Sequence, residues 1–164
     1  MKTLSLDRPA REALWSELEA MPEHLSQELG RLSPEQAARP GPDGAFSPVE
    51  QCWHLADLER EGFGVRIQRL LAEVEPHLPD FDGAAIARER RYGTKSLADG
   101  LDAFRKARRQ NLRTLHSVPA EAWTRRGTQE GVGPVQLCDL PVLMAQHDAA
   151  HRQEIEAWRQ ANTV

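Results

Sequence analysis

The sequence predicts an all-α fold, a bundle of four long helices joined by long connections. Three observations carry that expectation. Apolar residues recur at steps of three and four in separate stretches, no segment sustains the period-two alternation of a half-buried strand, and no repeat of solenoid length is visible. Serine-led helix starts at two places then set the phase of the second and third helices.

Leu14, Leu18, Met21, Leu25, Leu29 and Leu32 form the first stripe and place helix one from about Pro9 to Leu32. Pro22 interrupts this helix in composition but not in phase, so a kink or short break is expected at Ala20 to Met21. The run SPEQAARPGPDGAFSP reads as a loop with one helical turn at Pro34 to Ala38. Ser47, Pro48 and Glu50 supply an N-cap, a first-turn proline and an N3 carboxylate, which open helix two. Trp53, Leu58, Val65, Ile67 and Leu71 carry that helix to about Val74, before Pro76 and Pro79 stop it. Residues 75–95 form a long connection with a brief helical or irregular stretch around Ala84 to Arg91.

Ser96 and Asp99 repeat the cap pattern, and Leu97, Leu101, Phe104, Leu112 and Leu115 predict helix three over Leu97 to His116. A second connection, Val118 to Gly133, has Trp123 as its expected anchor. Helix four is placed from near Pro134, through Leu137, Leu140, Leu143, Met144, Ala150, Ile155 and Trp158, with Pro141 marking a kink or a late start. Connections this long allow a topology other than simple up-down-up-down.

At 164 residues the chain fits one domain, 1–164, large enough to bury a core without a structural metal or disulfides. Lys and Arg number 21 against 25 Asp and Glu, with no basic tract, which argues against nucleic acid as a partner. No apolar run is long enough to span a bilayer, and MKTLSLDRPAREALW lacks the apolar core and cleavage site of a signal peptide, so a cytoplasmic protein is expected. Cys52 and Cys138 are expected to be reduced and buried, and Cys52, two residues before His54, points to a nearly opposite helix face.

His147 and His151 stand one helical turn apart in HDAAH, so both imidazoles can reach one ion. With His54 on helix two, they make a candidate open site of three neutral nitrogen ligands between helices two and four. Imidazoles suit zinc, nickel, copper or iron(II). A zincin is not expected, because Asp148 stands where HExxH places its glutamate; pairing on the helix surface is the expected role of Asp148. His24, His77 and His116 lack matching spacing and are expected to be solvated. Glu50, Asp57 and Glu61 are candidates to orient His54 or take a proton, with a surface-carboxylate role equally open. Arg90, Arg91 and Tyr92 could meet an anionic cofactor, the alternative being a solvated charge run.

FSPVEQCWHLADLE, residues 46–59, resembles the W-S-x-x-E-x-x-x-H-L-x-D-x-E start of the second helix in the DinB/YfiT-like superfamily of metal-binding four-helix bundles, in its DinB_2 branch, with Phe46 replacing the usual tryptophan. QHDAAHRQEI, residues 146–155, resembles that family's H-D-x-x-H-x-x-Q-I, with Glu154 where glutamine is common. Arg39-Pro40 and the run from Pro119 to Trp123 agree in order and spacing, so the likeness covers nearly the whole chain. The resemblance implies His54, His147 and His151 as ligands of a divalent metal (zinc, nickel or iron). Members of this superfamily include thiol-S-transferases that use bacillithiol or mycothiol, a maleylpyruvate isomerase, and proteins described as metal-dependent hydrolases. The implied activity is therefore first a thiol-S-transferase acting on a small-molecule electrophile, then a hydrolase. The rival is a non-catalytic metal-binding bundle acting through homodimer or partner contacts.

Overall fold

The computed structural model describes residues 3–162. Helix α1 spans Arg8–Leu29, begun by the Asp7 side chain, which accepts from the Ala10 amide at 2.9 Å. It ends earlier than the apolar stripe suggests. Gly30 follows it, and Pro34 forces Ser33 out of helical conformation. Pro22 lies inside α1 without breaking it. Proline cannot donate to the carbonyl four residues back, and that carbonyl, on Leu18, accepts instead from Arg108 Nη1 at 3.0 Å.

The short helix α2, Pro34–Ala37, has a Ser33/Gln36 capping box. Helix two of the sequence reading is a continuous rod with three parts: α3, Pro48–Asp57, a π-helical turn at Leu58–Phe63, and α4, Gly64–Ala72. The π turn widens the rod so that the Gly64 amide donates to the Glu59 carbonyl, which also accepts from Asn111 Nδ2 at 2.6 Å. A Cβ on Gly64 would stand 3.0 Å from the Glu59 carbonyl oxygen and 3.1 Å from Asn111 Oδ1, a tight approach that glycine relieves. The spacing of apolar residues carries no mark of such a turn.

The long connections contain three short strands that the sequence does not signal, and a helix where a brief helical or irregular stretch is expected around Ala84 to Arg91. Strand β1 is His77–Leu78, α5 is Gly83–Glu89, and β2, Arg126–Gln129, forms a hairpin with β3, Gly133–Gln136. The sheet order is β1-β2-β3, with β1 parallel to β2 and β2 antiparallel to β3. Strands of two to four residues are too short to show alternation. Pro134 therefore lies in β3, and the fourth long helix starts later than the first of its two proposed starts. It is α7, Leu140–Asn162, with Pro141 in its first turn, where a missing N–H costs nothing. Helix α6, Leu97–His116, matches its expected span.

In the bundle α6 packs on α1 and α3, and α1 also packs on α7. One half of the core joins Leu14, Leu18, Phe63, Ile67, Leu70, Leu112, Leu115, Leu140 and Met144. The other half joins Met21, Leu25, Leu29, Cys52, Leu55, Phe104 and Ile155. Trp123 packs at the edge of the first half, near Trp15. No described helix is long and apolar enough to cross a membrane.

Candidate metal centre

The capping box at Ser47 holds the start of α3, with the Ser47 amide donating to Glu50 at 2.9 Å, and so fixes the rotation at which His54 leaves the helix. On α7, one turn separates His147 from His151. The three imidazoles meet between these helices. His147 Nε2 lies 3.4 Å from His54 Nε2 and 3.2 Å from His151 Nε2, and the three residues' ligand atoms all fall within 4.8 Å of one another.

These spacings match what a tetrahedral ion needs. Metal–nitrogen bonds of about 2.0–2.1 Å at tetrahedral angles put ligand nitrogens roughly 3.3 Å apart. The tautomer of His151 also fits. His151 Nδ1 faces two acceptors, Gln51 Oε1 and Glu154 Oε2, the latter at 3.1 Å, so Nδ1 carries the proton and Nε2 presents its lone pair inward. Gln51 is itself oriented by donating from Nε2 to Glu154 at 2.7 Å. His54 Nδ1 is buried without a hydrogen-bond partner, and a Cβ on Gly83 would come within 2.6 Å of it. Glycine at the first position of α5 is thus what lets this segment close over His54.

Burial, reinforced by the charge His151 would carry, lowers the His54 pKa to about 4; the same causes, with His54 added, lower that of His147 to about 3. Both rings are neutral at physiological pH and free to ligate. The Glu154 carboxyl falls to about 2, chiefly through its hydrogen bond with His151. Aromatic rings wall the cluster: Phe46 and Phe81 lie 5.4 and 6.1 Å from His54, and Phe63 lies 6.2 Å from His147, centroid to centroid.

The other residues singled out from the sequence have different engagements. Glu50 serves the cap. Asp57 is buried and accepts from Arg60 at 2.7 Å and from Arg90 and the Tyr92 hydroxyl, each at 2.5 Å; Glu61 accepts from Arg60 and Arg90. Among the described residues none of these carboxylates hydrogen-bonds a site histidine; Asp57 acts on His54 only through its charge. Arg90 and Tyr92 are therefore occupied in tying α5 and its continuation to α3, and Arg91 is exposed in a left-handed turn, φ 49°.

Asp148 corrects the expectation of surface pairing. It is buried, and accepts from Arg108 Nη1 and Nη2 at 2.7 and 2.9 Å, while Arg108 also pairs with Glu59. The reason is the bundle's geometry: the α7 face next to His147 turns into the bundle interior, where α6 supplies a cation. His77 is exposed, His24 is half-buried, and His116 stacks on Trp15 and approaches Glu19. Cys52 and Cys138 are free and buried, and burial pushes the Cys52 thiol up to about 12. Sequence reading missed Gln51, Phe63, Phe81 and Gly83. For Gln51 a signal exists: it stands three residues before His54, as Glu154 stands three after His151.

The family model for the DinB superfamily, DinB_2, matches residues 17–155. The chain belongs to the DinB superfamily. Among solved structures this DinB-superfamily chain is similar to YfiT from Bacillus subtilis, described as a probable metal-dependent hydrolase with an unusual four-helix bundle topology. That match has a TM-score of 0.87 at 18% identity and covers 97% of this chain and 91% of that one. It is also similar to a mycothiol-dependent maleylpyruvate isomerase, with a TM-score of 0.74 at 9% identity, covering 94% of this chain but 63% of that one. At these identities the likeness establishes the shared fold. No curated protein matches the sequence.

Proposed function

We propose that this chain is a metal-dependent enzyme acting on small molecules, with His54, His147 and His151 holding one divalent ion and leaving a position open. The observation that carries this reading is the convergence of three imidazoles, with His147 Nε2 at tetrahedral spacing from the Nε2 of both His54 and His151 and the ligand atoms all within 4.8 Å of one another, and the far side of His151 held by Gln51 and Glu154. A divalent ion bound there would supply Lewis acidity, lowering the pKa of a coordinated thiol or water.

Between thiol transfer and hydrolysis, the carboxylates favour thiol transfer. Hydrolysis of the zincin kind needs a free carboxylate beside the ion to take a proton from water. Here Asp148 is bound to Arg108, Asp57 and Glu61 to Arg90, Glu50 to Ser47, and Glu154 to Gln51 and His151. A low-molecular-weight thiol such as bacillithiol or mycothiol delivers its own nucleophile and needs no such base once it is a thiolate. The rings of Phe46, Phe63 and Phe81 beside the histidines suit an apolar electrophile. Hydrolysis is the second reading.

The test is to assay the natively purified protein with a panel of thiols and a chromogenic electrophile, before and after chelation. Metal-dependent turnover with at least one thiol, lost in His151→Ala while far-UV circular dichroism is unchanged, is the expected result. Full activity after chelation would refute the metal-dependent reading, and activity with water but no thiol would select hydrolysis. A sharp drop in melting temperature on chelation with no turnover would favour the non-catalytic bundle.

A further inference from the structure

Arg66 is a buried cation without a counter-ion. It sits on the inward face of α4 beside Ile67 and Leu70 and is 6% exposed. Among the described residues no hydrogen bond or ion pair reaches its guanidinium, and its Nε is sealed from solvent and unpartnered. Asp80 is exposed and acts on it only through space, while burial pulls the Arg66 pKa down. A guanidinium does not shed its proton inside a protein, so the charge remains and its desolvation is uncompensated. Arg108, also buried, differs: its Nη atoms donate to Glu59, Asp148 and the Leu18 carbonyl.

The position of Arg66 relates it to the metal centre. Its guanidinium carbon lies 5.6 Å from the centroid of the Phe63 ring, and that same ring lies against His147. The loop after β1 relates to both places, with Phe81 against His54 and its neighbour Asp80 acting on Arg66 through its charge. A second unsatisfied group lies on the sheet side. Gln129 is buried with Oε1 unpartnered, on the same inward face of β2 as Gly127, which stands against Leu70, one helical turn along α4 from Arg66.

We propose that Arg66 is a carboxylate-binding subsite that holds the acidic end of a small substrate whose reacting end lies at the three histidines, with Gln129 as its candidate second contact. The guanidinium fork matches the two oxygens of a carboxylate, and the Gln129 amide can turn to offer a donor or accept from a neighbouring N–H or O–H. One cation facing the negative charge of Asp80 suits a singly charged group better than a phosphate dianion. Placement of the reacting end rests on the metal-dependent reading; the anion site itself does not.

Succinate is a suitable probe, titrated by calorimetry into the metal-loaded protein, the chelated protein and Arg66→Met, with inorganic phosphate as a parallel arm. Succinate should bind loaded and chelated protein and bind Arg66→Met at least tenfold more weakly, while phosphate binds more weakly than succinate. Arg66→Met should unfold at the same or a higher temperature than the wild type without ligand, since it removes an unpaired buried charge. Arg66→Lys, which keeps the charge but not the fork, should bind at an intermediate level. Succinate binding that vanishes on chelation yet ignores Arg66→Met would place the carboxylate on the metal and overturn the subsite while leaving the metal-dependent reading intact. Absence of binding together with a large destabilisation by Arg66→Met would overturn it in favour of a structural arginine. Retained Arg66-dependent binding in His151→Ala, with no catalytic turnover in any protein, would support the subsite and count against the metal-dependent reading alone.

Discussion

His151 has the most closely determined proton of the three histidines, because Gln51 and Glu154 both accept from its Nδ1. That arrangement makes its Nε2 the inward lone pair and raises its basicity as a ligand. Gln51→Ala should therefore weaken metal binding by about 10–100-fold, measured by competition with a chromophoric chelator, with helicity unchanged. Glu154→Gln keeps an acceptor oxygen at the same place and should cost less. His54 has no comparable partner; its Nδ1 is covered by Gly83 and the flanking rings, so its orientation rests on packing.

At the scale of the element, the π turn and α7 together build a buried ionic layer behind the histidines. Glu59 leaves the widened turn to meet Arg108 and Asn111, and Asp148 reaches the same arginine from α7. Removing one partner of a buried pair leaves the other charge uncompensated, so Asp148→Ala should cost roughly 3–5 kcal/mol in chemical denaturation. The surface side of the same rod behaves differently. Arg90 holds the Glu61 carboxyl near pKa 2, below its ordinary value, with Arg60 assisting and Asp57 and Tyr92 sharing the cluster. A depressed folded-state pKa stabilises above the unfolded value and loses that effect as pH falls through the folded one. The melting-temperature difference between the wild type and Glu61→Gln should thus be largest above about pH 5 and shrink as pH falls from there toward 2.

What could be read in advance follows from how local each signal is. The Ser47 and Ser96 caps and the histidine spacing on α7 depend on neighbours within one turn, and the start of α3, the start of α6 and the HxxxH pair stand where those signals put them. The engagement of Asp148, the Asn111 contact at the π turn and the pairing of β1 with β2 depend on residues tens of positions away, while the β2–β3 hairpin is local but too short to carry a periodic mark. Pro22 shows the limit in one residue: its composition suggests a break, but Arg108 from α6 satisfies the carbonyl it orphans, and the helix runs on.

For the whole molecule, the two halves of the apolar core join the four long helices without any contribution from the histidines. The sheet and α5, which fill the long connections, bring Phe81 and Gly83 over His54 and so complete a site that the bundle alone would leave open on that side. The central claim is that one ion bridges α3 and α7 through three imidazoles. Elemental mass spectrometry on natively purified protein, beside the single variants His54→Ala, His147→Ala and His151→Ala, tests it directly. About one divalent ion per chain in the wild type and well below that in each variant is the predicted result; an undiminished equivalent in all three variants would contradict it.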